Sequence, residues 1–340
     1  MSMRSRAALV LLPLLAAGCD YQNYQSVFGN AGDGTRHFNS LFIAFLLICG
    51  VMYLAVIAFM IAGIARRGRA GPANTVDEGR DKENDPLMRT GLIGWGAVIG
   101  AGLIALAVAS FLTDRSDAMA EGHQKLAVTV TGNQWWWDIT YTAADASKTV
   151  HTANELHLPV GVPVRIFLNA RDVIHSFWVP ALAGKQDLIP GRENDITLVP
   201  RKIGIFRGQC AEFCGLQHAK MGLVVEVQSY DDFIKWWEHQ LQSAPQPSSP
   251  LALAGYKYVT SGPCSSCHAI AGTPASGTIG PDLTHLASRR TLAAAMPMNT
   301  GNLYGWVEDP QSLKPGAAMP TIGLEPQQLH AVVAYLETLK

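Results

Sequence analysis

Two short runs in this chain of 340 residues carry donor atoms that could hold a redox metal. The first, GQCAEFCGLQHAKMG from Gly208 to Gly222, places Cys210, Cys214, His218 and Met221 on one stretch. A cysteine pair at this spacing can close a disulfide in an oxidising compartment. Alternatively, both thiolates, His218 and a further histidine would complete the four N/S donors of a structural zinc. Met221 argues against zinc, because a thioether is a soft, weak donor that alongside thiolate and imidazole selects copper. With one cysteine such a site would be mononuclear. With both, two thiolates can bridge two copper ions, each taking one histidine. RDVIHSFWVP offers the second imidazole in His175, at the end of a strand-like run. His151, His157 and His239 have no comparable setting and read as ordinary polar residues.

The second run, GPCSSCHAI, holds Cys264, Cys267 and His268. Cys-x-x-Cys-His is the attachment pattern of c-type haem, with two thioether bonds to the porphyrin and the histidine on iron. The competing thioredoxin-like dithiol would need a βαβ setting, and the surrounding sequence has no such pattern. A methionine as the sixth ligand gives the high-potential pairing used for electron transfer. Met319, in the Pro/Gly-rich stretch KPGAAMPTIG, is the candidate; Met296 and Met298 flank a proline and read as packing. His285 takes no role from sequence. The remaining cysteines, Cys19 and Cys49, stand alone, so six cysteines in this arrangement favour cofactor chemistry over a disulfide scaffold.

The elements that must position these residues follow from hydropathy. Arg4 and Arg6 precede a short apolar run, Ala7 to Ala17, which reads as a secretory signal over residues 1–19. LLAAGCD resembles a bacterial lipoprotein processing site with Cys19 acylated; ordinary cleavage nearby is the alternative. Residues 20–120 hold two uncharged runs, Leu41 to Ile64 and Leu92 to Leu112. As helices they would reach about 36 and 31 Å, enough for a hydrocarbon core of about 30 Å. Arg66, Arg67, Arg69, Arg80, Lys82 and Arg89 between them place that connection in the cytoplasm and everything after it outside. Cys49, midway along the first run, reads as a small packing residue. Residues 121–241 alternate with period two in short β-rich runs, the pattern of a small antiparallel sandwich or barrel, closed by a helix at SYDDFIKWWEHQL. Gln242 to Pro250 is a Ser/Pro linker, and 251–340 read as a mainly helical unit ending in EPQQLHAVVAYLETL. The fold class is therefore multidomain: a two-helix transmembrane hairpin, a β-barrel or sandwich and an all-α C-terminal domain. A net charge of −1 gives no basic footprint for nucleic acid.

NQWWWDITY, DVIHSFWVPALAGKQDLIPGREN and GQCAEFCGLQHAKMGLVVEV together resemble subunit II of haem–copper cytochrome c oxidases, closely over Gly132 to Val227 and loosely over the hairpin. The resemblance implies a cupredoxin-like barrel holding the binuclear copper centre CuA. It implies His175 and His218 as imidazole ligands, Cys210 and Cys214 as bridging thiolates, and Met221 and the Glu212 carbonyl as weak ligands. It also implies the Glu212 side chain as a magnesium ligand at subunit I, and Trp135 as the aromatic through which electrons enter. Trp136 and Trp137 read as barrel packing and interface anchors. One departure stands out: DPLMRTGLIGWGAVIG has Trp95 but no glutamate three residues before it, so the family's proton-path glutamate is assigned to no residue. The C-terminal run GPDLTHLASRR…WVEDPQSLKPGAAMP resembles class I cytochromes c, with Cys264, Cys267, His268 and Met319 holding haem c.

The order signal, hairpin, cupredoxin, linker, cytochrome resembles oxidase subunits II with a fused cytochrome. It implies a subunit that receives electrons from cytochrome c or a quinol–cytochrome c reductase. They would pass through haem c and CuA to subunit I, where oxygen is reduced and protons are translocated, in the bacterial inner membrane with the large C-terminal region in the periplasm. A CuA-bearing nitric oxide reductase subunit would share the copper loop. A nitrous oxide reductase would add a propeller domain, and a quinol oxidase subunit would lack the copper ligands, so both fit less well.

Overall fold

The computed structural model describes residues 24–69, 78–120, 126–143, 145 and 148–340. The signal-like run and Cys19 lie outside them. The chain divides into two units, His37–Met119 and the remainder. Helices α1 (Asp33–Arg69) and α2 (Glu78–Ala120) are longer than the apolar runs that announce them, because their polar flanks continue the helical hydrogen bonding. Both are long and apolar enough to cross a membrane. Phe59, Leu47 and Leu103 lie exposed along them, as expected of helices that face lipid rather than a protein core. Cys49, expected to pack, is exposed on α1.

In the other unit, ten strands form two five-stranded sheets. They are β1 (Leu126–Asn133), β2 (Trp136–Thr142), β3 (Val150–Ala153), β4 (Glu155–Pro159), β5 (Val164–Ala170), β6 (His175–Trp178), β7 (Gln186–Leu188), β8 (Asn194–Leu198), β9 (Gly204–Cys210) and β10 (Gly222–Gln228). The sheet orders are β3-β2-β1-β5-β8 and β4-β10-β9-β6-β7. The expected antiparallel sandwich is in fact mixed, since β1 pairs with β5 and β10 with β4 in parallel. Hairpins enforce antiparallel pairing only between adjacent strands, and these partners are joined by long crossovers. Period-two alternation turns Val128, Val130, Trp137, Ile139, Tyr141, Val164, Ile166 and Leu168 into the core between the sheets. Trp137 meets Phe177 edge-on, with ring centroids 6.1 Å apart.

Helix α3 (Tyr230–Gln240) starts at Ser229, whose side chain accepts from Asp232 N, with Asp231 and Asp232 favourably placed in its first turn. Its Phe233, Trp236 and Trp237 surround Tyr141. The start of α1 and the residues just before it also grip the barrel. Ala31 N donates to Ala181 O, Thr35 Oγ1 donates to the same carbonyl, and Arg201 forks onto Asp33. Gly32 permits this approach: a Cβ there would stand 2.2 Å from Leu182 O.

The C-terminal part packs α4 (Pro250–Ser261) across α7 (Pro326–Leu336), with α5 (Thr300–Glu308), α6 (Pro310–Leu313) and a short ribbon of β11 (Thr291–Leu292) and β12 (Met296–Pro297) around them. Ser249 caps α4 and a capping box between Glu325 and Gln328 starts α7, each followed by proline at the first helical position. Leu329, Val332, Val333, Leu336 and Leu339 form the buried face that their spacing predicts. The helices cross closely because residue 255 is glycine; a Cβ there would fall 1.9 Å from Ala331 O.

Tyr141 meets α3 through its ring and ties β2 to β4 through its hydroxyl, which donates to His157 O and accepts from His157 N. Tyr141→Phe keeps the ring and orphans a buried N–H. It is expected to lower stability by about 1–3 kcal/mol, read as an earlier denaturant midpoint with unchanged slope.

Candidate copper centre and haem site

Pairing of β6 with β9 sets Phe177 opposite Cys210, which brings His175 on β6 to the mouth of the Cys210–Met221 loop. The loop is closed at its neck by Cys210 N donating to Met221 O at 3.0 Å, and is tied to β6 by Ala211 N donating to Ser176 O. Gly215 turns it at φ +113°, where a Cβ would press within 3.1 Å of the Trp135 ring. All the predicted donors converge. The Cys210 and Cys214 sulfurs are 3.8 Å apart, about twice a disulfide bond, so the cysteines are free. Each has its own imidazole: His175 Nδ1 is 3.9 Å from Cys210 Sγ and His218 Nδ1 is 3.6 Å from Cys214 Sγ. Met221 Sδ lies 3.9 Å from Cys214 Sγ, and Glu212 O lies 3.2 Å from Cys210 Sγ. His175, Cys210, Cys214 and Met221 are buried, His218 is half-buried and the Glu212 side chain is exposed.

Asp172 sets the orientation of His175. Its Oδ1 lies 2.8 Å from His175 Nε2, which turns Nδ1 towards the sulfurs, while Oδ2 accepts from Gln134 N. This carboxylate–imidazole arrangement fixes tautomer and ring direction at metal sites. Neither Asp172 nor Gln134 is singled out by sequence, although an aspartate three residues before His175 was a usable signal. Burial alone would push the His175 pKa down, but its bonds to Cys210 and Asp172 prevail and raise it. The two thiols share protons. Chiefly through its bond with Cys214, Cys210 is driven far below the ordinary thiol range, while Cys214 is driven above it. Two sulfurs, two imidazoles and a thioether fit copper better than zinc, because a buried thioether would add nothing to a tetrahedral N/S site.

Trp135 is 6% exposed, and its indole Nε1 donates to Cys214 O at 2.9 Å, alongside Gln134 Nε2 at 2.7 Å. The indole is therefore linked to the copper loop through one backbone carbonyl. Phe213 and Leu216 at the loop's tip are exposed.

In the C-terminal part, Cys264, Cys267 and His268 sit on one tight turn in which Cys267 N and His268 N both donate to Cys264 O. Both cysteines are free. His268 Nδ1 is bonded to Pro281 O at 2.7 Å, leaving Nε2 as the ligating nitrogen, and burial pushes its pKa down towards the neutral form that metals take. Gly280 lets the backbone close on this ring; a Cβ would stand 2.6 Å from His268 Cε1. The donor set fits a covalent haem. Met319 is half-buried on the loop before α7, its carbonyl held by Gln311 Nε2 at 2.7 Å, and no hydrogen bond among the described residues joins it to His268. Met296 and Met298 are half-buried against the C-terminal core. His285 is buried, its two nitrogens on Lys340 O and Gln242 O, tying the chain end to the linker. His157, which read as an ordinary polar residue, is buried and stacked on Trp236.

Residues 143–228 match the family described as cytochrome c oxidase subunit II, periplasmic domain, and residues 252–340 match the cytochrome c family. Cytochrome c oxidase subunit 2 of Alkalihalophilus pseudofirmus is 36% identical over 220 residues, which take in 64% of this chain and 63% of that relative, just under two thirds of its length. The subunit 2 of a Bacillus species is 34% identical over 258 residues, 70% of this chain and 71% of the relative. That of Bacillus subtilis is 29% identical over an alignment of 353 positions, 98% of this chain and 96% of the relative. With its two membrane-length helices, its buried His/Cys/Cys cluster and a cytochrome c-like C-terminus, the chain belongs to the cytochrome c oxidase subunit II family.

Proposed function

We propose that this chain is the electron-accepting subunit of a respiratory haem–copper oxidase. It takes electrons from an external cytochrome c or quinol–cytochrome c reductase at its haem c unit. It delivers them by way of a binuclear copper centre to subunit I, where oxygen is reduced to water and protons are translocated. The observation that carries this reading is the pairing of each free thiol with its own imidazole, beside a buried thioether. Bound copper and haem supply one-electron redox chemistry. The chain's own residues bind, orient and insulate them.

In this reading His175, Cys210, Cys214, His218, Met221 and the Glu212 carbonyl hold copper, and the exposed Glu212 carboxylate is free to meet magnesium at subunit I. Cys264, Cys267, His268 and Met319 hold haem c. Trp135 serves as the aromatic where electrons enter the copper loop, a role supported by its bond to Cys214 O. Burial of His175, Cys210, Cys214 and Met221 keeps water from most of the donor set, which helps the ligands keep one geometry in both oxidation states. The two apolar helices anchor the chain in the bacterial inner membrane, with the barrel and cytochrome in the periplasm.

Metal analysis of the full chain, isolated after export and copper loading, is expected to give two coppers and one iron per chain. A single copper would reduce the site to a mononuclear one. Cys210–Cys214 disulfide in copper-replete protein would end the copper reading. Asp172→Asn frees the His175 ring and should weaken copper retention by about 10–100-fold, measured by competition with a chelator. Cys264→Ala should leave haem extractable from the denatured chain in part, and Cys264→Ala with Cys267→Ala completely, measured by haem staining after denaturing electrophoresis.

A further inference from the structure

Lys314, in the loop after α6, is 3% exposed. Lysines are almost never buried so completely without a partner. Its Nζ donates to Trp135 O at 2.6 Å, Ala293 O at 2.8 Å and Lys220 O at 3.0 Å. Three carbonyl acceptors match the three N–H groups of an ammonium. They come from three separate places: the β1–β2 turn, the turn between β11 and β12, and the end of the copper loop. Burial pushes the Lys314 pKa down to about 7, so the charge is held at a cost. A methionine or leucine would fill the space more cheaply, but neither could tie three backbones at one point.

The neighbours act in the same direction. Gln217 Nε2 donates to Pro315 O at 2.9 Å and Lys220 Nζ donates to Leu313 O at 2.8 Å. Residue 316 is glycine at φ +83°, and a Cβ there would lie 3.3 Å from the Trp135 ring. The 313–316 loop thus covers Trp135, and it runs directly on to Met319. On its other side, Trp135 is bonded to Cys214 O.

We propose that Lys314 is a positioning residue for electron transfer between the two redox parts of the chain, pinning the 313–316 loop onto Trp135 so that the haem unit approaches the copper loop in one fixed geometry. This rests on the haem-to-copper route of the preceding section. It also means that a soluble donor meets the chain at its C-terminal part, because Trp135 is already covered.

The test uses the assembled oxidase with both centres loaded. A light-triggered reductant delivers one electron to the haem, and its passage is followed by the absorption bands of haem and copper. Lys314→Met keeps the volume and removes the donors. It should slow haem-to-copper transfer by about 10–100-fold, the scale on which loose positioning costs rate, with metal content and both spectra unchanged. The slowed rate should also fall as solvent viscosity rises, because docking then precedes transfer; a merely structural role would lower stability and loading without this signature. Transfer in K314M at the parent rate overturns the proposal and leaves the route intact. Should K314M fail to load either centre, the pair Q217A/K220A, which strips the two other side-chain bonds that run from the barrel to this loop, decides in the same way: slower transfer supports the pinning, the parent rate overturns it. A parent oxidase that holds both centres and passes no electron between them overturns the route itself, and the proposal with it.

Discussion

The bond from Cys210 N to Met221 O is short and local, yet the rest of the copper site hangs from it. It closes a loop whose two ends belong to adjacent antiparallel strands, β9 and β10, so the loop leaves and re-enters the sheet at a fixed separation. Within that frame two sulfurs, a thioether and an imidazole are turned inward before any metal is bound. His175 is supplied by the next strand over, and Asp172 holds its ring. Ligands ordered in advance lose little conformational entropy on binding, which strengthens metal affinity and keeps the geometry constant as charge changes.

The two redox parts are joined by polar groups buried in opposite senses. Glu155 is buried on the barrel side and accepts from the backbone N–H groups of Arg290 and Thr291. Lys314 is buried on the C-terminal side and donates to carbonyls. Burial raises the Glu155 pKa against the pull of those N–H groups and of Arg289 and Arg290, and burial lowers that of Lys314, so the directional bonds offset part of the cost of burying each group. The Arg290–Glu226 pair at the more exposed rim adds less, because solvent screens it. Apolar contacts could hold two surfaces together at many angles. Bonds that must all be made at once select one orientation, as expected of an interface that sets a distance.

The donor residues and the element types were legible in the chain because they are local properties. Cysteine, histidine and methionine spacing names a soft metal site, Cys-x-x-Cys-His names a haem attachment, and hydropathic period separates membrane helix, strand and surface helix. Even His175 was recognisable, through the run that surrounds it. What depends on partners distant in sequence was hidden. The parallel pairing of β1 with β5 and β10 with β4, the grip of residues 24–36 on the barrel, and the partners of His285 and His157 arise from contacts that no window of neighbouring residues contains. Lys314 was hidden for the same reason: a lysine beside a proline is unremarkable until folding buries it, whereas Asp172, three residues before His175, stood close enough in sequence to be found. Composition and spacing therefore pointed to the chemistry that the donors could support, since ligand type is fixed by side-chain identity. Folding alone settled where its two redox parts meet, since that depends on which backbone carbonyls one lysine can reach.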